Sequence, residues 1–236
     1  MSEEVTMVEV VPDKPESMND VVQKLKADRD LSNVDMSRLN LAGMVFGGAK
    51  MQHANLVSAD VSGGVLAGID AEGTDFSHAN LSGAKVVGAN LANTIFKHVQ
   101  LVGAKIAGVN LNKADLSNAD LTDARIMGTN LSAAVVKNAN LTAAKLMGCD
   151  LHDADFTSTD LTASTLKHID VTGADFTGAD TTGARSGGVD WSRARVAPVP
   201  LPEEMPVVPV WVPPAIAGTV VIFLIIVVLR KKSKRA

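Results

Sequence analysis

The chain has 236 residues, enough for one or two ordinary domains. Aromatic residues make up 3% of it although 46% of the residues are apolar, so small aliphatic side chains must fill a narrow, regular interior. The net charge of −4 excludes an overall basic footprint for nucleic acid, and the single cysteine, Cys149, excludes an internal disulfide.

Residues 1–30 are predicted to form a leader and a capping helix. Residues 1–16 are acidic and have neither the basic start nor the long apolar run of a secretory signal peptide. Ser17 is a candidate helix N-cap, and the apolar residues that follow it have helical spacing: Met18, Val21, Val22 and Leu25. Because a solenoid exposes an apolar layer at its end, we expect this helix to cover one end of the repeat that follows.

Residues 31–191 carry a five-residue repeat. Every fifth residue from Leu31 to Phe176 is apolar, and no insertion breaks the register. The residue two places before each of these centres is nearly always small or β-branched, and the residue just before it is mostly Asn or Asp. Glycines two places after a centre, such as Gly63, are expected at tight corners where a side chain would be crowded. An uninterrupted short period predicts a solenoid.

The best-matching five-residue units are ANLSG (79–83), ADLSN (114–118), ADLTD (119–123), ANLTA (139–143), ADFTS (154–158) and ADFTG (174–178). They fit the A(D/N)LXX motif, so residues 31–191 resemble the pentapeptide repeat family. The resemblance implies an all-β solenoid, a right-handed quadrilateral parallel β-helix with four pentapeptides in each coil. The expected fold is therefore such a β-helix of about eight coils, with a short N-terminal helix and a C-terminal transmembrane helix.

A second period of twenty residues places five basic residues in one column: Lys85, Lys105, Arg125, Lys145 and Arg185. Thr165 interrupts the column, and the corresponding columns on other sides are Asn and Asp. Like charges one coil apart, about 4.8 Å, repel each other. Two interpretations remain open: a solvated face relieved by neighbouring Asp and Asn columns, or a linear docking strip for an acidic partner or anionic lipid headgroups.

The C-terminal part changes character. Residues 192–212 are proline-rich and predict an extended stalk, residues 213–229 predict a transmembrane helix, and residues 230–236 form a basic tail. The helix from Pro213 to Leu229 would span about 25 Å at 1.5 Å per residue. Arg230 and Lys231 could extend to the headgroups, and Trp211 is placed for the interface. A buried core helix is the alternative.

Two rules conflict about the side of the membrane on which the rod lies. The basic tail favours the cytoplasm for the C-terminus and would leave the rod outside. The N-terminus without signal-peptide features and the free Cys149 favour a rod in the cytoplasm. We favour a single-pass protein anchored to the lipid bilayer at its C-terminus with a cytoplasmic rod.

No catalytic or metal-binding constellation stands out. Of the five histidines, His78 and His98 lie one coil apart, and two imidazoles without a third ligand make a poor metal site. The glycines recur with the repeat, so phosphate-loop-like strings carry no weight. We expect neither an enzyme nor a cofactor, and the oligomeric state stays open.

Three functions are compatible with these features. The first is a non-enzymatic, membrane-anchored scaffold that presents a rigid rod to another protein. The second is an ordered surface that binds an ice or mineral lattice, suggested by one hydroxyl column: Ser62, Ser82, Thr122, Thr142, Thr162 and Thr182. The third is a DNA mimic like the gyrase-protecting members of the family, although the basic column argues against mimicry. No nucleic acid partner is expected.

Overall fold

The computed structural model describes residues 17–205 and begins with one helix, α1 (Met18–Ala27). The backbone N–H of Ser17 donates to the Asp20 carboxylate at 2.9 Å, which closes the first turn. Val21 is fully buried and Leu25 packs against the core, whereas Met18 is half exposed. The predicted helix is confirmed, and its apolar face covers the first layer of the rod.

The repeat folds into a parallel β-solenoid with four sides. Backbone pairs join each residue before a centre to the residue twenty positions later, as in the four parallel bridges Asp30–Lys50, Asp35–Asn55, Asn40–Asp60 and Val45–Val65. The solenoid has about 7 turns, where the sequence predicted about eight coils. The column that begins at Val45 reaches Arg185 in steps of twenty residues, so seven turns separate eight layers.

One side, here called the strand side, consists of residues 44–48 and the equivalent residues of each later layer. Its strands form one parallel sheet in the order β1 to β8. They are β1 (Val65–Ala67), β2 (Lys85–Val87), β3 (Lys105–Ala107), β4 (Arg125–Met127), β5 (Lys145–Met147), β6 (Thr165–Lys167), β7 (Arg185–Gly187) and β8 (Glu203–Glu204). The side centred on Met36 and its equivalents lies opposite, and two flanking sides are centred on Leu31 and on Leu41.

The centres of the repeat form one continuous apolar core. The central residue of each unit and the small residue two places before it are buried along the rod. Phenylalanines one layer apart stack: the ring centroids of Phe76 and Phe96 lie 4.9 Å apart and those of Phe156 and Phe176 5.1 Å. Both pairs are almost fully buried, so the aromatic contacts stabilise neighbouring layers.

Most glycine corners select for backbone conformation and not for space, although at Gly73 and Gly173 a Cβ would also collide with a side chain of the neighbouring layer. Gly63 has φ +64, and no atom lies within 4 Å of the position that a Cβ would take there, so the expected crowding is wrong at this corner. The Gly64 N–H donates to the Val61 carbonyl at 3.0 Å, which closes a type II turn with Gly63 at the position that requires positive φ. Asn118 and Asp123 take the same conformation at equivalent corners, with φ of 58 and 57.

The rod continues past its predicted end. Trp191–Arg193 form a short 3-10 helix, and the Trp191 ring packs edge-on against Phe176 with centroids 5.3 Å apart. Val196 pairs with Asp175, and β8 pairs with β7. Trp191 and residues 192–205, where the stalk is predicted to begin, therefore cover the apolar ring and the strand edge that the last layer would otherwise expose.

The remaining C-terminal predictions lie outside the described residues. These are the end of the stalk, the transmembrane helix with Trp211, Pro213 and Leu229, and the basic tail with Arg230 and Lys231. Within residues 17–205, no helix is long and apolar enough to cross a membrane.

Candidate docking surface

Four of the five predicted basic residues form an unbroken column. Lys85, Lys105, Arg125 and Lys145 begin β2 to β5, and the sheet register pairs each with the next. All four side chains are exposed. At about 4.8 Å per layer, this basic strip is about 14 Å long. Arg185 stands apart from it, because Thr165 intervenes and Glu203 is its neighbour in the next strand.

The basic strip has no acidic partner among residues 17–205. Ion pairs occur on other sides of the rod, for example Lys97 with Asp115 at 3.2 Å and Arg195 with Asp175 at 3.1 Å. The strand side contains no Asp or Glu from residue 44 to residue 188. Four stacked positive charges therefore face solvent without an ion-pair partner, at a cost in stability.

An exposed apolar column runs beside the basic strip. Two residues after each basic residue stand Val87, Ala107, Met127 and Met147, here called the apolar stripe. Val87 is 48% exposed, Met127 46% and Met147 40%. Sequence reasoning missed this stripe because the position after each centre varies around the rod. Its signal was the recurrence of Val and Met at twenty-residue spacing.

The Asp and Asn columns on the other three sides are part of the corners. The Asp60 carboxylate accepts the Ser62 backbone N–H at 2.9 Å, and the same bond recurs in most layers. This backbone hydrogen bond holds the pKa of Asp60 below its usual range. Burial raises the pKa of Asp115, but hydrogen bonds from Ser117 and the Lys97 charge together lower it further than burial raises it. These carboxylates therefore shape the turns.

Other chemically interesting groups do not converge. The His78 and His98 rings stack one layer apart with centroids 4.8 Å apart, as predicted from their shared column. In the part of the chain that the structure describes, no three His, Cys, Asp or Glu side chains are grouped to hold a metal ion. Cys149 is buried, and burial raises the pKa of its thiol. A core cavity beside Phe76 and Phe96 has a volume of about 20 Å³, too small for an organic substrate.

Comparison with protein families identifies the family of this chain. A family model described as pentapeptide repeats matches residues 30–66, 54–91, 87–123, 124–162 and 154–185, which together cover more than half of the sequence. The chain belongs to the pentapeptide repeat family. The coil geometry described above is thus what its repeat specifies.

Several solved structures are similar at low sequence identity. HetL from the cyanobacterium Nostoc sp. strain PCC 7120, a pentapeptide repeat protein involved in heterocyst differentiation regulation, is 22% identical, with 78% of this chain and 98% of HetL covered and a TM-score of 0.46. Full-length QnrB1, a plasmid-mediated fluoroquinolone resistance protein, is 19% identical over 64% of this chain and 93% of its own, with a TM-score of 0.35. A search of curated proteins finds no match.

Proposed function

We propose that this protein is a non-enzymatic scaffold whose strand side docks another protein. The observation that carries the proposal is the pairing of an uncompensated basic strip with an exposed apolar stripe on the one side of the described rod where three-residue strands form. Lone exposed apolar residues are ordinary on protein surfaces, but a contiguous column beside unpaired charges is typical of an interaction site. A rigid rod can hold such a surface without reorganising when a partner binds.

The proposal includes membrane anchoring through residues 213–229, with the rod in the cytoplasm. The support for the anchor is the uncharged run of that segment, followed by five basic residues that can reach the headgroups. The support for a cytoplasmic rod is the free Cys149, because the basic tail alone favours the opposite orientation. Alkaline extraction of membranes tests the anchor: full-length protein should stay in the pellet, and a chain ending at Met205 should be released. Protease protection in intact cells tests the side, and digestion of the rod from outside would contradict a cytoplasmic location.

The two alternative functions gain no support from the geometry. A DNA mimic would present acidic charge, and the strand side carries a basic residue in each layer from Lys85 to Arg185. The hydroxyl column is interrupted by Val102. The Thr122 hydroxyl donates to the Asp120 carboxylate at 2.6 Å, so its hydrogen is not free to bind an ice or mineral lattice. Neither alternative is proposed further.

Site-specific photo-crosslinking tests protein docking. A photoreactive phenylalanine analogue replaces Ala107 in the middle of the apolar stripe of the full-length chain. The matched control places it at Lys137, which is exposed on the opposite side. We expect one discrete crosslinked protein at Ala107 that is absent at Lys137. The same bands from both positions, or no protein at either, would contradict docking on the strand side.

A further inference from the structure

We infer that the surface formed by the basic strip and the apolar stripe takes an acidic amphipathic α-helix of the partner. This inference rests on the proposed function and specifies the chemistry of the occupant. The charge is complementary, because the strand side has no carboxylate between residues 44 and 188 while the four basic side chains of the strip are exposed. Acidic side chains are therefore what this surface attracts at a distance and pairs with on contact.

The spacing of the strip favours a helix over an extended peptide. Basic side chains stand about 4.8 Å apart along the rod. On an α-helix, acidic residues at i, i+3, i+7 and i+10 rise by about 4.5, 10.5 and 15 Å, within about 1 Å of three successive layers. Same-face residues of a strand repeat at about 6.7 Å, so the second and third would miss their layers by about 2 and 4 Å.

The width of the surface also fits one helix. The basic strip and the apolar stripe are separated by two residues of a strand, about 6.6 Å, and a helix with its side chains is about 10 Å across. A helix lying along the rod can therefore place one row of carboxylates on the strip and an adjacent apolar row on Val87, Met127 and Met147. Such side-by-side rows are what an amphipathic helix offers at i, i+3, i+4 and i+7.

A lipid surface fits less well, because the strip is narrow and its neighbours are acidic. The flanking side centred on Leu41 and its equivalents carries five carboxylates and no basic residue: Asp60, Asp120, Asp123, Asp160 and Asp180. The other flanking side carries Asp70, Asp150 and Asp170, together with Lys50, in the column nearer its corner with the strand side. An anionic bilayer wider than the rod would lie within about a Debye length, 10 Å, of these charges. A single helix, about 10 Å across, is narrow enough to contact the basic strip and the apolar stripe alone.

Selection from a random peptide library tests the inference directly. The full-length chain in mild detergent is the bait. In the strip variant, Lys85, Lys105, Arg125 and Lys145 are changed to Gln. Counter-selection against this variant removes peptides that bind other sides of the rod. The control variant changes Arg38, Lys50, Lys113 and Lys137 to Gln, which alters the net charge equally on other sides of the rod. Phosphatidylcholine vesicles with and without phosphatidylserine are tested against the same three proteins.

We expect enriched peptides with acidic residues at i, i+3, i+7 and i+10, apolar residues on the adjacent row, and helical circular dichroism in the complex. Their affinity should fall at least about tenfold on the strip variant and stay unchanged on the control variant. Enrichment of non-acidic or alternating sequences, or equal affinity for both variants, would overturn the inference. Binding to vesicles that contain phosphatidylserine, if it is lost in the strip variant and kept in the control variant, would also overturn the inference. If a partner is crosslinked at Ala107 through a strand or a loop, the inference of a helix is wrong, but the proposal of protein docking stands.

Discussion

Ser164 is an exception in the core of the rod. It occupies the inward position that Ala holds in several neighbouring layers, it is fully buried, and its hydroxyl has no hydrogen-bond partner among the described residues. A buried polar group without a partner costs about 1 kcal/mol or more. Ser164→Ala should therefore raise the free energy of unfolding by about 1 kcal/mol, measured by chemical denaturation of the full-length protein.

A buried threonine provides the control for that substitution. The Thr159 hydroxyl donates to the Val136 carbonyl at 3.0 Å, so Thr159→Val removes a satisfied group of nearly the same size. We expect no comparable gain from it. If Ser164→Ala leaves stability unchanged or lowers it, the hydroxyl has a partner in solution and the explanation fails.

Cys149 should be chemically silent in the folded rod. Its side chain is 2% exposed, and burial raises the pKa of the thiol, so little thiolate is available for attack. Iodoacetamide at mildly alkaline pH should leave the native protein unmodified and label it completely in denaturant, as mass spectrometry can show. Rapid labelling without denaturant would mean that the coils around Cys149 open.

Single residues show how far the sequence could be interpreted. The inward residues were predictable one by one, because a buried position tolerates little besides an apolar side chain of the right size. The reason for glycine at corners such as Gly63 was not predictable, since residue type alone does not distinguish a positive φ from crowding. Outward positions such as Met127 were the least predictable, because only their stacking in the folded rod makes them one surface.

Charge repulsion within the basic strip belongs to the level of the sheet. Changing Lys105, Arg125 and Lys145 to Gln removes stacked like charges from three successive strands and should raise the melting temperature by about 2 °C at low ionic strength. High salt should abolish the difference because it screens exposed charges. Changing Arg38, Lys113 and Lys137 to Gln is the matched control. Equal effects of both variants would show that net charge, and not the column, is responsible.

The Asp corners predict a dependence on pH. Hydrogen bonds from Ser62, Thr172 and Thr182 hold the pKa values of Asp60, Asp170 and Asp180 below their usual range. A carboxyl whose pKa is lower in the folded state contributes stability above its unfolded value, about 3.9, and loses it as pH falls through the folded value. The melting temperature should therefore fall steeply below about pH 4.

Asparagine provides the test of that mechanism. Asn80 accepts the same corner bond from the Ser82 N–H at 3.0 Å, so an amide can replace the carboxylate without removing the turn. Changing Asp60, Asp170 and Asp180 to Asn should keep the fold. It should also flatten the acid dependence of the melting temperature between about pH 5 and about pH 2, the range in which aspartates titrate. An unchanged acid profile would assign the loss of stability to other groups.

At the level of elements, the sequence predicted the helix and the rod but not the end of the rod. Ser17 and the apolar spacing after it are local signals, and they led directly to α1. The pairing of β8 with β7 is different, because Glu203 and Glu204 carry no strand signal and lie among prolines. Their backbone is held by the open edge of the last layer, and no local pattern in residues 192–205 reports that edge.

At the largest scale, the described residues 17–205 form a capped rod with unequal sides. Helix α1 closes one end, and residues 191–205 close the other. Capped ends disfavour end-to-end stacking of copies, because α1 covers the first apolar layer and residues 191–205 cover the last one. Binding is then directed to the sides, of which the strand side alone combines uncompensated basic charge with a stacked apolar column. The twenty-residue period therefore produces both the fold and the candidate docking surface, because it stacks equivalent residues in successive layers.

The C-terminal cap can be tested by truncation. A chain ending at Met205 keeps the cap, and one ending at Asp190 loses Trp191, which packs on Phe176, and β8, which pairs with β7. Both truncations lack residues 213–229, so they differ only in the cap. Loss of an aromatic pair of this kind costs about 1 kcal/mol, in addition to the lost burial of the ring. Because a solenoid is stabilised layer by layer, the shorter chain should melt earlier and associate through its open edge. Thermal unfolding and light scattering after size-exclusion chromatography measure both effects. If the two chains have the same melting temperature and the same mass, residues 191–205 are a stalk after all.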